Sequence, residues 1–213
     1  MTALRLNRTH FPVTALGPGR RAGIWVQGCT LGCAGCVAAD TWARDGGGAV
    51  GVDMLLGWLD SLPGRVDGVT VSGGEPFQQA AAVAELLAGV RDWRGSRPVD
   101  VLVYSGYPLH RLRRSAPARR VLDLADAVMT GPYVARRPSS LPWRGSSNQS
   151  LVPLTALGRE RYGGVPDDGP RMQICQEGDR VWFVGIPRPG EPELVVERLA
   201  ASGVEVGEVT WRT

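Results

Sequence analysis

The chain contains no lysine: all 24 of its basic residues are arginine. With 29 glycines, 16 prolines and abundant alanine, that choice reads as coding bias rather than function. The net charge of +3 is a mild excess, too small to set up a strong field for nucleic acid or a membrane surface. Arg111, Arg113, Arg114, Arg119 and Arg120 do cluster. No aromatic residue interleaves them, which leaves a solvated helix face rather than a base-stacking platform. No apolar run approaches the roughly 20 residues of a membrane helix. Met1 to Arg8 carries arginines where a secretory signal needs its apolar stretch. A soluble, cytoplasmic protein without nucleic-acid or membrane partners is expected. Histidine is scarce as well, and neither His10 nor His110 stands in a context beyond that of a loop or surface histidine.

Cysteine is also sparse, but three of the four cysteines fall in one short stretch. Gly23-Ile24-Trp25-Val26-Gln27-Gly28 leads into Cys29-Thr30-Leu31-Gly32-Cys33-Ala34-Gly35-Cys36, a C-x3-C-x2-C spacing. An apolar run that ends in glycine and a ligand loop is how a buried parallel strand delivers side chains to its carboxyl end. Three thiolates on one tight loop can hold three corners of an iron–sulfur cube and leave one iron open for chemistry. Closely spaced cysteines also suit structural zinc, which would need a fourth ligand from Cys175, His10 or His110. A disulfide fits less well, because the clustered thiols are odd in number. Cys175 lies in a strand-like alternation and reads as a buried, inert thiol, so a single cluster is expected.

The 213 residues, 43% of them hydrophobic, suit one domain with a small appendage. Residues 1–22 read as a lead-in broken by Pro12, Gly17, Pro18 and Gly19. The first strand is Gly23–Gln27, and Gly46-Gly47-Gly48 is a flexible connection. Helices are expected over Val52–Leu62 and Phe77–Val90, with strands over Val69–Val71, Val99–Tyr104 and Ala125–Met129. Between the last two strands lies an arginine-rich helical region interrupted by Pro117. Strand, loop and helix in repetition argue for an α/β fold with a parallel sheet, too short for a full eight-fold barrel. Residues 172–176 and 180–186 read as a hairpin turned at Glu177-Gly178-Asp179. Glu193–Ala201 is expected as a helix and Val204–Trp211 as a last strand. The expected division is 1–150 as a core and 151–213 as a β-rich extension packed on the same domain.

Further words stand at the expected strand ends. Ser72-Gly73-Gly74-Glu75 has two glycines that permit close backbone approach and a carboxylate suited to a ligand's ammonium group. Alone it is an ordinary turn with an acid at a helix start. One strand and one helix after the cysteine loop, it says more. Tyr104-Ser105-Gly106-Tyr107 places a hydroxyl at the next strand end, and Asp126 and Thr130 frame the one after. Trp42, just beyond the loop, reads as core packing.

The cysteine loop resembles the cluster motif of the radical S-adenosylmethionine (SAM) superfamily. Gly17-Pro18-Gly19-Arg20-Arg21, Val26-Gln27-Gly28-Cys29 and Arg144-Gly145-Ser146-Ser147-Asn148-Gln149 are similar to words in the glycyl-radical activating enzymes, above all the anaerobic ribonucleotide reductase activators. Gly35 stands where that family has an aromatic residue, Val37 where many activators have tyrosine, and Thr130 where an aspartate is common. The resemblance implies an open partial (β/α) barrel of radical SAM type and a 4Fe–4S cluster on Cys29, Cys33 and Cys36. It implies a SAM pocket that includes Gly73, Gly74, Glu75, Ser105 and Gly35, with no catalytic side chain beyond these two sites. Reductive cleavage of SAM would then give a 5′-deoxyadenosyl radical that takes a hydrogen atom from a protein glycine. The implied partners are a glycyl-radical protein and an electron donor such as flavodoxin or ferredoxin. A stand-alone radical SAM enzyme acting on a small molecule or peptide is the alternative; a zinc- or cluster-bearing interaction module without catalysis is the third.

Overall fold

The computed structural model describes residues 2–164, 172–177, 180–188, 190–205 and 207. Its centre is four parallel strands: β2 (Arg21–Val26), β4 (Gly68–Gly73), β5 (Asp100–Tyr104) and β6 (Ala127–Thr130). Antiparallel strands flank them. β1 (Ala3–Val13) and β3 (Gly48–Gly51) lie beyond β2, and β7 (Ser150–Pro153) lies beyond β6. The sheet runs β3-β1-β2-β4-β5-β6-β7 and does not close, as an open partial barrel requires. The crossovers are α1 (Val52–Asp60), α2 (Ala80–Arg94), and the pair α3 (Leu109–Leu112) and α4 (Ala116–Leu124), the last with Pro117 in its first turn.

Strand periodicity divides the buried residues between two faces. Ile24, Val71, Val103 and Val128 sit side by side in register and face the helices, packing on Leu55, Leu59, Val83, Leu87 and Val121. The alternate residues face inward in layers. At the amino ends of the strands Arg21 lies beside Gly68 and Asp100; above them come Gly23, Thr70, Leu102 and Ala127; above those come Trp25 and Ser72. A Cβ on Gly23 would stand 2.4 Å from the Trp25 ring, so the indole fits only over a glycine. All five N–H groups of the buried Arg21 are used. Nε donates to Thr70, the two terminal nitrogens grip both Asp100 oxygens at 2.9 and 2.8 Å, and Pro18 and Val69 carbonyls accept the rest.

The expected lead-in over 1–22 is corrected: eleven of those residues form β1, which pairs with both β2 and β3. Pro12 is tolerated there because the register with β2 breaks between His10 and Val13. The glycine run expected as a flexible connection instead opens β3 at Gly48. β7 crosses the expected 150/151 division and completes the main sheet. α5 (Ala156–Tyr162) follows, and its Tyr162 hydroxyl donates to Asp100 on the inner face. The hairpin of β8 (Met172–Glu177) and β9 (Arg180–Gly185) forms as expected, and α6 covers Glu191–Ala201. Among the described residues of the extension, α5 and α6 together contribute more residues than the strands do. Val204, Glu205 and Gly207 are not in a strand, and the rest of the expected last strand lies outside the described residues, as do Gly178 and Asp179 of the turn. No helix among the described residues is long and apolar enough to cross a membrane.

Candidate cluster and cofactor site

The cysteine loop leaves the carboxyl end of β2 and is stitched down on both sides. Gly28 N–H donates to Thr41 O at 2.7 Å and Cys29 N–H to Trp42 O at 3.1 Å, while Glu75 N–H returns to Gly28 O at 2.9 Å. Gly28, Gly32 and Gly35 have φ of +101°, +58° and +74°, the left-handed region in which glycine turns without strain. The three thiols are half-buried and line a single cavity of about 300 Å³, at the lower end of the roughly 300–1,000 Å³ of small-molecule sites. Gly73, Gly74, Glu75 and Ser105, from the carboxyl ends of β4 and β5, line it too. Ligands of open α/β sheets bind at this end of the strands.

Both glycines of the Gly-Gly-Glu word are required by backbone packing. A Cβ on Gly73 would lie 2.5 Å from Val26 O, and one on Gly74 would lie 2.3 Å from Gly28 O. They let β4 close against the root of the cysteine loop. Glu75 is fully buried and fastens two strand ends. Its Oε1 accepts from Phe77 N at 3.0 Å and Ser105 Oγ at 2.9 Å, and its Oε2 accepts from Gly106 N at 2.7 Å. Burial raises its pKa, offset in part by the Phe77 and Gly106 amides and the Ser105 hydroxyl. Ser105 Oγ in turn accepts from Tyr107 N at 3.0 Å.

The fourth strand end supplies Tyr133. Its amide donates to the Cys33 thiol and its ring lines the cavity. Gly131–Val134 is braced by the Arg144–Gln149 word. Gln149 Nε2 donates to Gly131 O at 3.1 Å, Asn148 Nδ2 to Pro132 O at 2.8 Å, and Ser146 Oγ accepts from Val134 N at 3.1 Å. Thr130 faces away from the cavity's polar groups, its hydroxyl donating to Ser150 O at 3.2 Å.

The donor set fits an iron–sulfur cluster. Thiol chemistry is right, and N–H donors surround the sulfurs: Leu31 and Gly32 amides on Cys29, the Tyr133 amide on Cys33, the Ala38 amide and Trp42 indole on Cys36. Such hydrogen bonds set cluster potentials. Burial raises all three thiol pKa values above the ordinary range despite these donors. Among the described residues no three His, Cys, Asp or Glu side chains close on a single-ion site. The distant zinc candidates lie elsewhere: Cys175 Sγ is 3.2 Å from His10 Nε2 and packs with Val13, Leu16, Trp25 and Val184, and His110 is exposed on α3 and does not line the cavity.

A family model described as a 4Fe-4S single cluster domain matches residues 15–152. The anaerobic ribonucleoside-triphosphate reductase-activating protein of Escherichia coli K12 is 33% identical over 146 residues, 66% of this chain and 93% of that one. Its Vibrio cholerae counterpart is 29% identical over 153 residues, covering 68% and 96%. The chain belongs to this activator family. It is thereby a radical SAM protein, with a 4Fe–4S cluster and SAM as cofactors. A counterpart from phage T4 is 27% identical over 63% of the chain and 85% of the relative. The QueE structure from E. coli is a looser likeness: 16% identity, TM-score 0.42, 75% of this chain and 67% of that one.

Within this activator fold the cavity gathers Cys29, Cys33, Cys36, Gly73, Gly74, Glu75 and Ser105, while the exposed Gly35 lies just behind Tyr133. Trp42 is not simple core packing, since its indole reaches Cys36. Sequence reasoning missed Tyr133, Arg8 and the hairpin residues Trp182 and Phe183, all of which line the cavity. For Tyr133 a signal existed: it follows the last parallel strand, the position that carries ligand residues after each of the other three.

Proposed function

We propose that this protein installs a glycyl radical on a partner protein of the anaerobic ribonucleotide reductase kind, with Cys29, Cys33 and Cys36 holding the cluster. The observation that carries the reading is the meeting of the three thiols with the Gly-Gly-Glu and Ser105 strand ends in one cavity. Held by the three thiols and the strand ends, a reduced cluster and SAM would supply one-electron cleavage of the sulfur–C5′ bond, to methionine and a deoxyadenosyl group able to take the glycine hydrogen. The protein's part is placement. Gly73 and Gly74 bring β4 against the loop, and Glu75 holds Ser105 and Gly106 beside it. With three hydrogen bonds accepted, the Glu75 carboxylate keeps one of its about four lone-pair sites for a ligand ammonium group. A flavodoxin- or ferredoxin-type donor in the cytoplasm would supply the electron.

A second reading has a specific observation in its favour: β8–β9 lies beyond residues 15–152, yet Met172, Trp182 and Phe183 line the cavity. A wall of that kind also suits a small molecule or a free peptide. The deciding experiment is anaerobic incubation of reduced protein, SAM and an anaerobic ribonucleotide reductase. A protein-borne radical in electron paramagnetic resonance, equal in amount to the 5′-deoxyadenosine formed, supports activation. 5′-Deoxyadenosine without a protein radical favours the second reading.

A further inference from the structure

The adenine of SAM is a flat ring suited to stacking on an aromatic side chain. Of the six aromatic residues that line the cavity among the described residues, Phe183 belongs to the hairpin beyond residues 15–152, and four others are committed elsewhere. Trp25 is buried beneath Trp182, edge-on at 5.9 Å, and Trp182 also meets His10 edge-on at 4.7 Å. Tyr104 donates its hydroxyl to Trp143 O at 3.1 Å, and the Trp42 indole is bonded to Cys36. Tyr133 differs. It is half-exposed, its amide is tied to Cys33, and among the described residues its hydroxyl has no hydrogen-bond partner. Glycines flank its ring edges and leave room for it. A Cβ on Gly35 would lie 3.7 Å from Cε1, and one on Gly145 would lie 3.0 Å from Cδ2. The cysteine loop from Cys29 to Cys36 carries no aromatic residue, and glycine stands at position 35 with φ +74°.

Resting on the activator reading, we infer that Tyr133 supplies the aromatic face on which the adenine of SAM stacks. The Arg144–Gln149 word is its support. Gln149 Oε1 accepts from Gly145 N at 2.9 Å and Ser146 N at 3.1 Å, while its amide nitrogen holds Gly131, so one side chain fixes both the Tyr133 loop and the glycine at the ring edge. The ring is thus oriented before any ligand arrives, which lowers the ordering cost of binding.

The test is calorimetric titration of anaerobically reconstituted protein with SAM and with 5′-methylthioadenosine, which keeps adenine and ribose but lacks the amino and carboxylate groups. Base–aromatic stacking predicts that Tyr133→Leu weakens both ligands by the same factor, about tenfold, while Tyr133→Phe binds both as the native protein does. Iron content and melting temperature should be unchanged in both variants. Unchanged affinity for 5′-methylthioadenosine in Tyr133→Leu overturns the assignment. So does loss of iron in that variant, which would make Tyr133 a prop of the cysteine loop. Failure of the native protein to bind SAM at all would instead count against the activator reading.

Discussion

Cys29, Cys33 and Cys36 differ from Cys175 in what their sulfurs face: the first three open into the cavity and the fourth into the packing of β1 against β8. Alanine at any of the first three should remove most of the iron from reconstituted protein, whereas Cys175→Ala should retain it; an iron assay decides. Burial holds the loop thiols in their protonated form when no cluster is bound, and a cluster takes thiolates. Uptake must therefore release protons, and cluster affinity should rise with pH up to the raised thiol pKa values. Chelator competition at several pH values measures this, and a flat profile would contradict it. Glu75 titrates with the opposite consequence for folding. Its folded pKa is raised above the ordinary 4.5, so in that window the native state holds a proton the unfolded chain has lost, and stability falls as pH rises through it. Glu75→Gln should flatten that slope in thermal melts. At neutral pH it should also cost about 1–3 kcal/mol, because its amide turns an N–H toward one of the donors that Glu75 now accepts from.

At the scale of elements, the site is made by strand ends, and this is the part most legible in the sequence. Three of the four parallel strands end in a word that stands out, cysteines after β2, Gly-Gly-Glu after β4 and Ser-Gly-Tyr after β5, while the Tyr133 that follows β6 went unread. Ile24, Val71, Val103 and Val128 stand in short apolar runs, a signal strong enough to place them in buried strands. β1 was not legible, because a half-buried strand with a proline near its end and no clean alternation looks like a linker; its antiparallel partner β2 specifies it. β7 was hidden for the same reason, four residues paired to β6 between polar words. The glycines were legible as necessary but not for their cause, which is contact between two backbones. That cause makes a prediction. Gly74→Ala would force its Cβ to 2.3 Å from Gly28 O, so β4 and the cysteine loop must separate. The overpacking should cost about 1–3 kcal/mol, with poorer iron retention than Gly48→Ala, whose Cβ meets nothing within 4 Å. Equal iron retention in the two variants would mean the loop tolerates displacement from β4.

For the whole molecule, the two ends of the parallel sheet have separate tasks. The carboxyl ends carry the cavity, and the amino ends are locked by Arg21 and Asp100, both without exposed side-chain surface, with Tyr162 from α5 closing on the same carboxylate. Breaking a buried pair of this kind by removing one partner costs about 3–5 kcal/mol, because the other charge stays buried. Arg21→Ala should therefore unfold more readily than any cavity variant. The clasp also decides where the chain can be shortened. Ending it before Leu151 removes most of β7, leaves β6 without its antiparallel neighbour and takes Tyr162 from Asp100, so that protein should not fold. Ending it after Gly164 keeps the seven-stranded sheet and α5, and removes the β8–β9 hairpin together with α6. The loss is then the cover over Val13, Leu16 and Trp25, to which Cys175 and Val184 contribute. Burial of side chains such as Val184 is worth about 1.5–3 kcal/mol each, so the shortened protein should melt earlier yet still take up its cluster. Its cavity would lack the wall of Trp182 and Phe183. If the hairpin shapes the space in which the substrate meets the radical, the shortened protein should cleave SAM as the full chain does and lose only hydrogen transfer to the target. Comparing 5′-deoxyadenosine formed with target radical formed separates that outcome from simple instability. Unimpaired transfer to the target would show that the hairpin serves only as cover for the sheet.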